Sequence, residues 1–144
     1  MARSHGGEQG ADAVAHLQKV GFFEGFTDNE LRRVAELAEE VDAESGSELT
    51  DQGRPGQTAY VILTGTASIE VGGATINTVG PGDMVGEMAL IDHRPRTATV
   101  RATTDMRLLA FDATRFRRLL DEMPKAQVRV MEQLVERLRQ RDLA

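Results

Sequence analysis

The sequence predicts an α+β fold in which an antiparallel β-sandwich or roll lies between helices at both ends. Three observations predict it. Apolar residues recur at helical spacing from residue 11 to residue 45. The period changes to two, with recurring glycine turns, from 46 to 111, and a helical period returns from 112 to 144. Regularly spaced short strands with glycine turns are typical of a sandwich or roll.

Size and composition describe one globular domain. A chain of 144 residues can bury its own core, and we assign residues 11–144 to that domain. Glycines among polar neighbours in residues 1–10 predict a flexible tail. The absence of cysteine excludes disulfides and thiolate metal sites and agrees with a cytoplasmic location. No apolar run reaches the ~18 residues of a membrane span. The net charge of −6 argues against nucleic acid or an anionic membrane as partner.

The N-terminal region predicts two helices. Val14 and Leu17 have helical spacing in the first. Thr27 followed by Glu30 predicts a capping box at the start of the second. The second helix carries an apolar series, which consists of Leu31, Val34, Leu37, Ala38 and Val41. We therefore expect helical structure as far as residue 45.

The central region predicts strands at 60–63, 66–71, 74–79, 97–102 and 107–111. Gly72-Gly73 is a hairpin signal between two of them. A strand is also expected near Glu48, although a charged residue stands there where an apolar one is usual.

Two helices are predicted after the strands. The first runs over 112–123 and ends before Pro124, which lacks an N–H. The second runs over 125–141 and carries an apolar stripe, formed by Val128, Met131, Leu134 or Val135, and Leu138. Two arrangements are open. The stripe packs on its own domain, which we favour because two heptads are short for a coiled coil, or it forms a homodimer seam with a second copy.

The motif that carries chemistry is sixteen residues long, VGEMALIDHRPRTATV, and begins at residue 85. Gly86 and the glycines before it let the backbone approach a ligand closely. Glu87 opens a short predicted helix, and the N–H groups at a helix start suit a phosphate. Arg96 can fork two donors onto phosphate oxygens, and ionised Glu87 accepts from a hydroxyl. These groups together describe a site for a sugar phosphate.

This stretch resembles the phosphate-binding cassette of cyclic nucleotide-binding domains, whose pattern is F-G-E-[LIM]-A-L and then P-R-x-A-[TS]-V. It stands here as VGEMAL at 85–90 and PRTATV at 95–100, with Val85 in place of the usual aromatic residue. The turn GRPG at 53–56 and the sequence GPGD at 80–83 also match, so the resemblance covers about 17–141. It implies a jelly roll at 46–111 with a C-terminal helix pair at 112–144.

The resemblance also implies residue roles. Arg96 binds the cyclic phosphate, and Glu87 accepts from the ribose 2′-hydroxyl. The remaining site residues complete the cradle with backbone groups, and these are Gly86, Met88, Ala89, Thr97 and Ala98. Threonine at 97 admits both purines in this family. Arg137 on the last helix matches an arginine that covers the purine as a lid. The alternative is that Arg137 is a solvent-exposed arginine with no role in binding.

The function predicted is a non-catalytic sensor for cAMP, or for cGMP, that moves its C-terminal helix on binding. No room remains after that helix for a helix-turn-helix, so we expect an output protein that acts in trans or belongs to a longer chain. The alternative is a protein–protein interaction module on the same scaffold. A metal at Asp83, Glu87, Asp92 and His93 is disfavoured, because His93 has no helix-spaced partner. No pair of residues suggests catalysis.

Overall fold

The computed structural model describes residues 2–4, 11–53, 56–87, 90 and 95–142. It begins with helix α1 (Ala11–Leu17), a 3-10 turn (Gly21–Phe23) and helix α2 (Asp28–Leu37). The predicted capping box at α2 is confirmed. The Glu30 N–H donates to Thr27 Oγ1 at 3.1 Å, and the Thr27 N–H donates to Glu30 Oε1 at 2.8 Å. None of the described helices is both long and apolar enough to span a bilayer.

The described residues form nine strands in two antiparallel sheets, which confirms the predicted α+β class. In chain order they are β1 (Ala2–Ser4), β2 (Glu39–Ala43), β3 (Glu48–Thr50), β4 (Thr58–Thr64), β5 (Ala67–Val71), β6 (Ala74–Val79), β7 (Met84–Val85), β8 (Thr99–Ala102) and β9 (Met106–Asp112). One sheet has the order β1-β2-β9-β4-β7 and the other β3-β8-β5-β6.

The larger sheet has a buried residue set on each face. Val61, Leu109 and Phe111 belong to the core shared with the helices. Ile62 and Leu108 belong to the core between the two sheets. Strands β4 and β9 therefore read as continuous apolar runs, because successive side chains enter opposite cores.

The helical expectation for residues 11–45 is wrong after Leu37. Strand β2 occupies Glu39–Ala43 and pairs antiparallel with β9, so Val41 lies in a sheet. The helical spacing of Val41 was coincidental, because every second position of β2 faces the inter-sheet core and Val41 is one of them. The β9 edge supplies hydrogen bonds that a longer helix would not use.

The N-terminus and β3 also differ from expectation. Residues 2–4, part of the expected flexible tail, pair with β2 as an edge strand, because the β2 edge offers unpaired backbone groups. Residue 1 and residues 5–10 lie outside the described part. At β3 the charged Glu48 is accommodated by an ion pair, since Arg101 Nη2 on β8 lies 3.1 Å from Glu48 Oε1.

Two helices follow the sheets, as predicted. Helix α3 (Ala113–Glu122) is capped by Asp112, whose Oδ1 accepts from the Arg115 N–H at 2.7 Å. Helix α4 (Pro124–Asp142) reaches the core through Ala126 and Val130. The favoured arrangement of its apolar stripe is wrong, because the predicted stripe residues are exposed and not packed on their own domain. Their exposed fractions are 46% for Val128, 60% for Met131, 36% for Leu134, 47% for Val135 and 59% for Leu138.

Candidate functional site

Arg96 lies at the centre of the site, in the loop that leads into β8. Its side chain is 8% exposed. Nη1 donates to the Gly86 carbonyl oxygen and Nη2 to the Thr58 carbonyl oxygen, each at 2.7 Å. The guanidinium therefore joins the loop before β8 to the start of β4 and to the turn after β7.

Two glycines make room for that guanidinium. A Cβ on Gly86 would lie 2.6 Å from Arg96 Nη1 and 2.9 Å from the Thr58 oxygen, and Gly86 has a φ of +85° that other residues rarely adopt. A Cβ on Gly56 would lie 2.7 Å from Arg96 Cζ and would also collide with Nε. Any side chain at Gly56 or Gly86 would displace Arg96.

Among the described residues, no counter-charge is in contact with the Arg96 guanidinium. Burial lowers the pKa of the Arg96 guanidinium, while Tyr60 and Glu87 act in the opposite direction. Both hydrogen bonds go to neutral carbonyls, and no described carboxylate lies within ion-pair distance of Arg96. Nε is buried and makes no hydrogen bond. Burying a donor and a charge in this way is costly, so the slot is suited to an anion.

Tyr60 is the aromatic neighbour of the slot. It lies on β4, opposite Val85 of β7, and is half-buried. Burial raises the pKa of its phenol, and the charge of Arg96 opposes that shift. The phenol therefore stays neutral beside the guanidinium and supplies no counter-charge.

The structure brings together three of the predicted site residues, Gly86, Glu87 and Arg96. Glu87 is half-buried and has helical backbone, and Leu90 is buried in the helix-side core. The negative charge of Glu87 is felt by Arg96. The carboxylate and the guanidinium are therefore parts of one site.

Thr97 and Ala98 follow Arg96 at the rim of the site. Thr97 is exposed and Ala98 is partly exposed. The chain around them is fixed by the facing loop, because the Gly53 N–H donates to the Arg96 carbonyl at 2.8 Å and Thr50 Oγ1 donates to the Ala98 carbonyl at 2.9 Å. Met88, Ala89 and the side chain of Arg137 lie outside the described residues, as do Asp92 and His93.

The loop that faces Arg96 also reaches the β5–β6 hairpin. Gln52 precedes Gly53, and its side-chain Oε1 accepts from the Gly72 N–H at 2.8 Å. The Gln52 N–H in turn donates to Thr99 Oγ1 at 2.9 Å. The hairpin tip and the Arg96 loop are thus connected through two consecutive residues, Gln52 and Gly53.

Sequence reasoning missed three contributors, Gly56, Thr58 and Tyr60. Gly56 was recognised as a turn glycine, and only the structure shows that the guanidinium lies against it. Thr58 contributes a carbonyl oxygen, for which no side chain gives a signal. Tyr60 was assigned to a buried strand, and its neighbourhood to Arg96 depends on the sheet pairing.

Asp83 has a structural role. Its Oδ2 accepts from the Gly80 N–H at 2.8 Å, which closes the turn before β7. The part of the chain that the structure describes contains no group of three His, Asp or Glu residues that could hold a metal ion.

Comparisons with known proteins identify the family and the fold of this chain. Residues 40–123 match the family model described as the cyclic nucleotide-binding domain. A cyclic nucleotide-binding domain from Methylobacillus flagellatus kt superposes with a TM-score of 0.77 at 27% identity, over 96% of this chain and 84% of that one.

Two further structures extend the comparison. A cyclic nucleotide-binding-like protein from Brucella abortus is 37% identical over 76% of this chain and 98% of its own, with a TM-score of 0.64. The cAMP-bound PfPKA-R has a TM-score of 0.76 at 25% identity, and the match covers 88% of this chain and 44% of that one.

Proposed function

Because this chain belongs to the family of cyclic nucleotide-binding domains, we propose that it is a sensor that binds a cyclic nucleotide, with cAMP preferred to cGMP. Domains of this family are regulatory and not catalytic, and we extend that to this chain. The cAMP-bound relative supports the choice of ligand. Threonine at 97 leaves room for guanine as the second ligand.

The observation that carries the proposal is the state of Arg96. The guanidinium is buried, its hydrogen bonds go to neutral carbonyls, and Nε lacks an acceptor. A cyclic phosphate would supply both the missing acceptor and the missing negative charge. The half-buried Glu87 beside it would accept from the ribose 2′-hydroxyl. Backbone N–H groups would complete the cradle, and these belong to Gly86, Met88, Ala89, Thr97 and Ala98.

Helix α4 is the element that we expect to respond to the ligand. Its first turns are held to the domain, because Lys125 Nζ donates to the Gly25 carbonyl at 3.0 Å and Arg129 Nη2 donates to the Glu24 carbonyl. Lys125 also lies 2.7 Å from Glu30 Oε1, and this bond is the main cause of a lowered pKa of Glu30. We propose that movement is confined to the part of α4 beyond these ties, where Arg137 would close over the purine. An output protein, in trans or in a longer chain, would read that movement.

Calorimetric titration with cAMP, cGMP and 5′-AMP tests the proposal. We expect micromolar binding of cAMP, weaker binding of cGMP and no measurable binding of 5′-AMP. Saturation at 100 times the dissociation constant adds about 2.7 kcal/mol to the native state, so the melting temperature should rise by about 5–11 °C. Only millimolar binding, with no thermal shift, would contradict the proposal.

The second candidate is the interaction module, and the exposed stripe of α4 favours it. In that case the jelly roll would act through its C-terminal helix, with the ligand incidental. Weak cyclic nucleotide binding together with tight binding of a protein partner would support it.

A further inference from the structure

The loop at 51–57, between strands β3 and β4, forms one wall of the slot that holds Arg96, and we call it the slot loop. Its Gly53 N–H donates to the Arg96 carbonyl oxygen at 2.8 Å, and its Gly56 lies against the guanidinium. Thr58, directly after the loop, accepts from Arg96 Nη2. The backbone and the side chain of Arg96 are therefore both held from this side.

The slot loop needs an anchor outside itself, because its turn depends on glycine. Gly53 has a φ of +82°, and glycine has more backbone conformations available than any other residue. Fixing such a loop costs conformational entropy, which contacts beyond the loop must offset. Gln52, immediately before Gly53, makes two such contacts.

Gln52 is hydrogen-bonded on two sides. Its backbone N–H donates to Thr99 Oγ1 at 2.9 Å, on the strand that follows Arg96. Its side-chain Oε1 accepts from the Gly72 N–H at 2.8 Å, at the tip of the hairpin between β5 and β6. Because Gly72 supplies a donor, only the oxygen of the amide can take part in the second bond. The side chain at position 52 therefore acts as an acceptor.

We propose that Gln52 is a positioning residue of the nucleotide site, which ties the slot loop to the β5–β6 hairpin and so fixes Arg96 for the phosphate. For the identity of the ligand this inference rests on the proposed function. Gln52 acts through Gly53, whose N–H holds the Arg96 carbonyl, and not through contact with the ligand. Without the bond to Gly72 the slot loop has one anchor fewer, so Arg96 spends less time in the arrangement that the phosphate requires.

The bond between Gln52 and Gly72 matters less for the fold as a whole. Gln52 is exposed, and a hydrogen bond open to solvent adds little to stability. The hairpin is also joined to β8 without it, because β5 pairs with β8 over residues 67–70. We therefore expect the loss of this bond to affect the slot loop more than the stability of the domain.

Substitution of Gln52 separates the acceptor from the length of the side chain. Q52M keeps the length and removes the amide oxygen, so cAMP affinity should fall about three- to tenfold, mainly through faster dissociation. Q52E keeps an acceptor and should bind within about twofold of the unmodified protein in ~0.5 M salt, which screens the added charge. Calorimetric titration and stopped-flow dissociation measure both variants.

The matched control is Q18M, because the side chain of Gln18 donates to Asp28 Oδ1 at 3.0 Å among the N-terminal helices. Q18M should leave cAMP affinity unchanged, and circular dichroism checks that each variant is folded. If Q52M binds cAMP as tightly as the unmodified protein, or if Q52E loses as much affinity as Q52M, the positioning role is overturned and the proposed function stands.

Amide exchange tests the same connection without ligand, by NMR magnetisation transfer from water. In Q52M the Gly53 N–H should exchange at least about threefold faster than in the unmodified protein, although the Gln52 side chain is not its partner. Faster exchange at Gly72 alone would show a purely local bond and overturn the proposal. If the unmodified protein does not bind cAMP, the proposed function is lost, and exchange at Gly53 still decides whether Gln52 fixes the slot loop.

Discussion

Arg96 and Arg107 lie at opposite ends of strand β4, and their surroundings differ in one respect that matters for function. Arg96 donates to the Thr58 carbonyl at the first residue of β4. Arg107 is the cross-strand partner of Thr64 at its last residue. Arg107 donates to the carboxylate of Glu40, which is 3% exposed, whereas the described acceptors of Arg96 are carbonyl oxygens. Among the residues that the structure describes, a carboxylate contacts Arg107 and none contacts Arg96.

The surroundings of Arg107 also disfavour an anion. The cleft beside it is lined by three carboxylates, those of Asp42, Glu44 and Asp105. Both arginines have a buried Nε without a hydrogen bond, so an unpaired donor is not sufficient to mark a binding site. The distinguishing feature is the acceptor, because among the described residues Arg107 donates to a carboxylate and Arg96 donates to neutral carbonyls.

The largest expected effect is on ligand affinity at Arg96. R96A should weaken cAMP binding by about 2–5 kcal/mol, or roughly 30- to 4000-fold, since a charge-assisted contact to a desolvated phosphate is lost. R107A should bind cAMP within threefold of the unmodified protein. Parallel calorimetric titrations measure both. Equal losses in the two variants would show that Arg96 has no special role.

For stability we expect the larger loss in R107A and the smaller loss in R96A. R107A leaves Glu40 buried without its counter-charge, which should cost about 3 kcal/mol and lower the melting temperature by about 6–12 °C. R96A removes a buried charge and should lower it less. The double variant E40L/R107L should recover most of the loss, because the buried Glu40 charge is then removed together with its partner. Thermal unfolding monitored by circular dichroism compares the three, and a larger loss in R96A than in R107A would contradict the assignment.

Substitution of Gly56 tests the role of Arg96 without changing any charge. G56A places a Cβ against the Arg96 guanidinium, and we expect a loss of about 10- to 100-fold in cAMP affinity. G21A is the matched control, because a Cβ on Gly21 meets nothing within 4 Å. In the R96A background G56A should have no further effect on affinity, since the glycine acts only through the arginine. An additive loss there would mean that Gly56 has a separate role.

Glu87 should read the ribose while Arg96 reads the phosphate. E87Q keeps a neutral acceptor, so we expect a loss of about 5- to 20-fold for cAMP, smaller than that of R96A. The informative ligand is 2′-deoxy-cAMP. The unmodified protein should discriminate against it more strongly than E87Q does. Equal discrimination by the two proteins would remove Glu87 from the ribose contact.

The smallest expected effect is that of the lid. R137A should loosen cAMP binding about 2- to 30-fold, mainly through faster dissociation, because a covering cation slows escape more than entry. Hydrogen exchange provides a second measurement, in which cAMP should protect residues 128–138 less in R137A. An unchanged off-rate with unchanged protection would identify Arg137 as a surface residue.

The sequence was sufficient for the parts of the molecule that depend on local pattern. Strand β6 follows from the Gly72-Gly73 turn signal before it and the capping box from the spacing of Thr27 and Glu30, and both are confirmed. The proximity of Glu87 and Arg96 was also predictable, because they belong to one contiguous motif. These features need little information about distant residues.

The features that the sequence did not predict depend on contacts between residues far apart in the chain. Glu40 can be buried in β2 because Arg107, 67 residues away, donates a hydrogen bond to its carboxylate. The Thr58 carbonyl holds Arg96 across 38 residues through the backbone, which carries no residue-type signal. The stripe of α4 had the correct period, but period alone does not show which face of a helix meets its own domain.

The connection from Arg96 through Gly53 and Gln52 to Gly72 has a practical consequence for reporting on occupancy. The hairpin turn Gly72-Gly73 is exposed, and a Cβ on either glycine would meet nothing within 4 Å. A fluorescent module inserted there would sit outside the site yet be coupled to it by two hydrogen bonds, those of Gln52 with Gly72 and of Gly53 with Arg96. The Gly72-Gly73 turn is thus a suitable insertion site for a fluorescent reporter of ligand binding at Arg96.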